Sequence, residues 1–212
     1  MAWKNDQVSL KETEYIIDSA TSALEIEGDF VELGCYRGDT SLCLAEVVEN
    51  FNKNLQNISV EPVENSGENL ARKLWIYDSF EGLPEKNRED ESVLGKEFVS
   101  GALEVTKREV KERFLKAGLK VPIIKKAWFN ELTSDDMPEK IAFAFLDGDF
   151  YESIRDSLNL VTPLMTSGGV ILVHDYNNPA LPGVKKAVDE WLTGKNLKTE
   201  IFETLIKITI KN

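Results

Sequence analysis

The residues of this chain best suited to chemistry fall in a few short runs. Asp147-Gly148-Asp149 sets two carboxylates around one glycine. Such a pair can hold a hard cation such as Mg²⁺ through one acid while the other serves as a general base. The same tripeptide also suits a turn, or an N-cap at Asp149 ahead of Tyr151-Glu152-Ser153. His174-Asp175 joins the single histidine to a further acid, either for ligation and proton exchange or as a satisfied structural histidine. Glu32 opens a run with Gly34, Gly38 and Ser41, a G-x-x-x-G turn that lets the backbone approach a ligand or a packed helix. Amides at the start of the following helix favour an anion. Asp78, followed by Ser79 and Phe80, can accept hydrogen bonds from two ribose hydroxyls or cap a turn with Ser79. Trp128 is either an aromatic surface for a planar ring or part of the core.

These residues need elements to place them. Apolar spacing predicts a helix over 10–27, a short strand over 29–34 and a helix over 39–49. The polar segment 51–70, with Ser66-Gly67, reads as loop. Further strands are expected at 74–77, 121–125, 141–146 and 169–173, with helices at 106–117, 151–160 and 183–192. Alternating apolar residues over 198–210 predict a terminal hairpin. Strands alternating with helices imply βαβ units and a parallel sheet, and the runs IAFAFL and GVILV suit strands covered on both faces. Ligands of such sheets bind at the carboxyl ends of strands. The glycine turn follows the first strand, and acids follow the second, fourth and fifth, so all converge on one crevice. Residues 80–118 contain a long connection, 80–105, of the length that often forms a lid.

The bulk composition narrows the classes. A chain of 212 residues suits one domain, with 1–27 as an N-terminal helical segment. A net charge of -12 argues against nucleic acid and against an anionic membrane. No run is long enough for a membrane-spanning helix, and the first residues lack an apolar signal core, so a cytoplasmic enzyme is expected. Cys35 and Cys43 are then expected as free thiols. The N-terminal helix and the terminal hairpin are the candidate surfaces for a homo-oligomer.

The runs GDFVELGCYRGDTS, YDSFEGLP, AFLDGDFYES and GGVILVHDYNNPALPGVKKAVDEW, in this order, resemble the macrocin O-methyltransferase family over about residues 28–192. The resemblance implies a Rossmann-like α/β three-layer sandwich whose seven-stranded, mostly parallel sheet ends in an antiparallel strand. It implies an S-adenosylmethionine-dependent O-methyltransferase acting on a hydroxyl of a small molecule, such as a sugar of a natural product or polysaccharide precursor. Glu32, Gly34, Tyr36, Gly38 and Ser41 would hold the methionine end of the cofactor. Asp78 would take the ribose, and Ser79, Phe80 and Trp128 would lie by the adenine. Asp147 and Asp175 would ligate Mg²⁺, and Asp149 would be the general base. The chain departs from the family at His174, where metal-binding members usually carry an acid, so His174 is a third ligand or a substitute base. Ala127 also stands where a glycine is common.

Two other readings compete. A nucleotide-dependent oxidoreductase or epimerase would carry G-x-G-x-x-G and a Tyr-x-x-x-Lys pair, and neither stands at the required place. A non-catalytic cofactor-binding protein would keep the glycine turn but has no need of Asp-Gly-Asp.

Overall fold

The structure, a computed structural model, describes residues 7–58 and 71–211. Its first helix, α1 (Leu10–Ser22), starts at Ser9, whose hydroxyl accepts from the Glu12 amide while the Glu12 carboxylate returns to the Ser9 amide. A 3₁₀ turn, Ala23–Glu25, leads into β1 (Asp29–Leu33), and α2 (Asp39–Ile58) follows. Then come β2 (Leu74–Asp78), α3 (Lys107–Ala117), β3 (Ile123–Lys126), β4 (Ile141–Leu146) and α4 (Tyr151–Val161). The chain continues through β5 (Met165–Val173), α5 (Pro182–Leu192), β6 (Lys198–Phe202) and β7 (Leu205–Thr209).

The seven strands form one sheet in the order β3-β2-β1-β4-β5-β7-β6. β1 pairs in parallel with β2 and β4, and β4 in parallel with β5. β7 runs antiparallel to both of its neighbours. Alternation along each strand builds two cores. Phe30, Ile76, Phe143, Phe145 and Leu172 face α1, α2 and α3. Val31, Leu33, Tyr77, Ala144, Leu146 and Val173 face α4 and α5. The result is the α/β/α sandwich that the resemblance implied. Strands covered on both faces explain why IAFAFL is buried throughout.

The helix after β1 is longer than its polar composition suggested. It runs to Ile58, so residues 51–58 are helix and not loop; the rest of the 51–70 segment, up to residue 70, lies outside the described residues. Two contacts account for the extension. Phe51 carries the Arg72 guanidinium over its ring at 5.7 Å. The Asn52 side chain pairs with both the amide and the carbonyl of Arg72, each at 2.8 Å. An asparagine that satisfies a neighbouring backbone loses its preference for turns. β5 likewise begins at Met165, four residues before the apolar run.

Among the described residues no helix is long and apolar enough to cross a membrane. Cys35 and Cys43 are free and buried.

Candidate active site

Parallel strands deliver the expected residues to one edge of the sheet. Gly34, Asp78, Asp147 and His174 each stand within one residue of the carboxyl end of β1, β2, β4 and β5 respectively. Between them lies a cleft with about 1130 Å³ of space free of protein atoms, its open mouth included. Of the expected residues, Gly34, Tyr36, Asp78, Ser79, Trp128, Asp147, Asp149, His174 and Asp175 line it. Glu32, Gly38, Ser41 and Phe80 do not. Glu32 and Ser41 are wholly buried beneath the glycine turn, and Phe80 packs into the core on the α3 side.

Tight backbone turns shape this edge. At Gly34, φ is +89°, and a Cβ there would stand 1.9 Å from the Asp147 carbonyl oxygen. Only glycine allows the β1 and β4 loops to meet this closely. Among the described residues six others besides glycine have positive φ, and four of them, Tyr36, Leu103, Asp149 and Asp175, line the cleft. Such backbone is costly and concentrates at functional sites. Asp149 does not cap α4: the N-cap is Phe150 without a side-chain bond. The Tyr151 amide instead donates to Asp90 Oδ1 at 2.7 Å, from the long connection. Asp149 is therefore free of the capping role that its sequence position also suited.

Asp78 ties two loops together. Its Oδ2 accepts from the Cys35 amide at 2.9 Å and the Tyr36 amide at 3.2 Å, and its Oδ1 from the Phe80 amide at 2.7 Å. It thus builds the turn, with Phe80 rather than Ser79 as its local partner. Glu32 accepts a short hydrogen bond from the Ser41 hydroxyl through Oε2, while its buried Oε1 has no partner among the described residues. Burial pushes the Glu32 carboxyl up to about 8, helped by the charges of Asp147 and Asp78 and opposed by the Ser41 bond.

The acids after β4 and β5 meet around the histidine. His174 Nδ1 lies 3.0 Å from Asp147 Oδ1 and 3.1 Å from Asp175 Oδ2. Burial alone would depress the imidazole, but the two carboxylates outweigh it and hold the group well above its ordinary value. Asp175 is pushed up by burial yet ends below the usual range, because the imidazole charge and bonds from His174 and Asn178 favour its ionised form. Asp149 goes the other way. Burial and the charges of Asp147 and Asp175 raise it well above an ordinary aspartate, against a smaller pull from His174. The two carboxylates are thus pushed in opposite directions within one cleft.

The profile of the family described as Macrocin-O-methyltransferase (TylF) matches residues 8–209. The chain belongs to the macrocin O-methyltransferase family. It is 28% identical over 171 residues to the 8-demethyl-8-(2,3-dimethoxy-α-L-rhamnosyl)-tetracenomycin-C 4′-O-methyltransferase of Streptomyces olivaceus, covering 78% of this chain and 58% of that protein. It is 26% identical to the demethyldecarbamoylnovobiocin O-methyltransferase of Streptomyces niveus, over 86% of this chain and 63% of the relative. The chain thus spans about three fifths of the length of these relatives. In fold it resembles the O-methyltransferase NovP, with a TM-score of 0.73 at 24% identity over 96% of this chain and 81% of that one.

In this member of the macrocin O-methyltransferase family, several cleft residues had no sequence signal. Gln7 and Val8 reach the cleft from the segment before α1. Leu83, Pro84, Phe98 and Leu103 come from the 80–105 connection, and Asn178 from the loop after β5. Chain folding alone brings these together. The connection is fastened by Asp90, by the Ser92 hydroxyl donating to the Pro179 carbonyl at 2.9 Å, and by the ion pair of Glu89 with Lys186 at 3.1 Å. The helical end of the 80–118 segment, α3, is instead a core element, with Val110 and Phe114 fully buried.

Proposed function

We propose that this chain is an S-adenosylmethionine-dependent O-methyltransferase acting on a hydroxyl of a small molecule, a sugar of a natural product or of a polysaccharide precursor. The observation that carries the reading is the convergence of the glycine turn, Asp78, Asp149 and the Asp147–His174–Asp175 cluster on one strand-end cleft of a family member. The activities of the relatives, O-methylation of a rhamnosyl tetracenomycin and of demethyldecarbamoylnovobiocin, support a hydroxyl oxygen as acceptor.

The residues fit the cofactor. Gly34 leaves room where any side chain would collide, and Tyr36, Asp78, Ser79 and Trp128 line the same wall. Gly34 and Tyr36 would meet the methionine end, Asp78 the ribose, and Ser79 and Trp128 the adenine end, while Glu32, Gly38, Ser41 and Phe80 stand behind that wall and support it. When bound, S-adenosylmethionine supplies an electrophilic methyl group. The chain's own part is to position and deprotonate the acceptor. Asp149, on the cleft wall, takes the hydroxyl proton, and His174, on the same wall, is the base if no metal is bound. Asp147, His174 and Asp175 would hold a divalent cation, since their ligand atoms lie within 4.8 Å of one another. Such a cation would supply positive charge that favours the alkoxide form of the acceptor. The 80–105 connection, whose Leu83, Pro84, Phe98 and Leu103 edge the cleft, is the lid that excludes water.

Calorimetric titration with S-adenosylmethionine tests the reading first. Binding at about micromolar affinity, followed by transfer of labelled methyl to a sugar hydroxyl, is expected. Absence of binding with and without divalent metal refutes it.

A further inference from the structure

Gln7 and Val8 line the cleft and lead directly into the cap of α1, and the glutamate of that cap does more than capping requires. A capping-box glutamate needs one carboxylate oxygen for the N-cap amide, and a glutamate is rarely buried unless its charge is met. Glu12 is only 5% exposed. Its Oε2 accepts from the Ser9 amide at 3.1 Å and from the Ser9 hydroxyl at 2.8 Å. Its Oε1 accepts from the Thr204 amide at 3.1 Å and from the Thr204 hydroxyl, 192 positions along the chain. Burial pushes the Glu12 carboxyl up, but the bonds from Thr204 and Ser9 outweigh it and hold the group below its ordinary value.

Thr204 gives this bond a firm base. It lies in the tight turn between β6 and β7, where Glu203 has a φ of +51°. The loop after β5 holds that turn from the other side. The Asn177 amide donates to the Thr204 carbonyl and the Asn177 side chain to the Glu203 carbonyl, each at 3.3 Å. Val8 in turn packs in the apolar cluster that includes Cys35 of the glycine turn, with Tyr36 against it. A continuous path therefore runs from a fixed turn, through Glu12 and Ser9, to the cleft wall beside Tyr36. The body of α1 does not depend on this path. Ile16 and Ala20 are buried in the core, and Tyr15 stacks on Phe202 at 4.5 Å.

We infer that Glu12 is a positioning residue for the cofactor: bonded to Thr204 and Ser9, it holds Gln7 and Val8 as a wall of the cleft beside the glycine turn. The inference rests on the methyltransferase reading, in which that turn meets the methionine end of S-adenosylmethionine.

A wall that is not held in place must be ordered when the ligand binds, so its release shows as lost affinity. Calorimetric titration of the full chain with S-adenosylmethionine is expected to give a Kd about tenfold higher in Glu12→Ala than in wild type. The kcat at saturating cofactor should stay within about threefold. Thr204→Ala leaves the capping box intact and is expected to raise the Kd by about threefold; it decides the matter if Glu12→Ala does not fold. Tyr15→Leu removes the stack on Phe202 and the hydroxyl bond to Glu200. It is expected to lower stability in urea yet leave the Kd within about twofold, which separates holding the wall from holding the helix. Unchanged cofactor affinity in either of the first two variants once folded, or an equal loss in Tyr15→Leu, would overturn the inference and leave the methyltransferase reading standing. A wild-type chain that binds no S-adenosylmethionine overturns both.

Discussion

Glu32→Gln tests the site where burial and function conflict most. The Glu32 carboxyl is fully buried, one oxygen has no partner, and burial lifts its pKa from 4.5 to about 8. The folded state therefore prefers the neutral acid. Below about pH 4.5 the group is protonated in both states and costs nothing. As pH rises from there, the unfolded chain ionises first and stability falls by about 1.4 kcal/mol per unit. The loss reaches roughly 3 kcal/mol at pH 7 and levels at about 5 kcal/mol once both states are ionised, above about pH 8. Glutamine keeps an acceptor for Ser41 but buries an unpaired amide, at a cost of about 1–3 kcal/mol that does not depend on pH. The stability difference between variant and wild type should thus grow with pH in favour of the variant, with a slope that isolates the titration. Urea unfolding of both proteins from acid to mildly alkaline pH reads it directly. Parallel curves, with a difference constant to within about 1 kcal/mol, would refute the assignment of a strained, neutral Glu32.

Three further outcomes are expected. Asp149→Asn should abolish turnover while leaving S-adenosylmethionine affinity near normal, since it removes the base and not a wall of the cofactor side; retained turnover in a methyl-transfer assay would exclude Asp149 as base. Gly34→Ala forces a Cβ to within 1.9 Å of the Asp147 carbonyl at a φ of +89°, and should cost about 2–5 kcal/mol in urea unfolding. Asp90→Ala removes the acceptor for the Tyr151 amide at the start of α4. It should lower stability by about 1–2 kcal/mol and raise the KM for acceptor more than that for cofactor, because it loosens the lid where it meets the Asp149 loop.

The alternation of apolar runs and helical stripes was sufficient to read a parallel α/β sheet and to place the acids and glycines at its strand ends. That information is local: a period of two or of 3.6 residues reports which face is buried, and turn residues follow directly. Asp147, Asp149, His174 and Asp175 were legible because each follows a strongly apolar strand. The end of α2 was not, because Asn52 and Phe51 are held by Arg72, which lies across the 59–70 segment. The tertiary structure alone decided that Asp78 bridges two loops, that Asp90 and not Asp149 serves the start of α4, and that Gln7, Phe98 and Leu103 share a cleft with residues after β4. It also decided that the imidazole stands between two carboxylates, 3.0 and 3.1 Å from their oxygens. These are contacts between segments far apart in the chain, set by strand order and by glycine-permitted close approach, and no local pattern carries them.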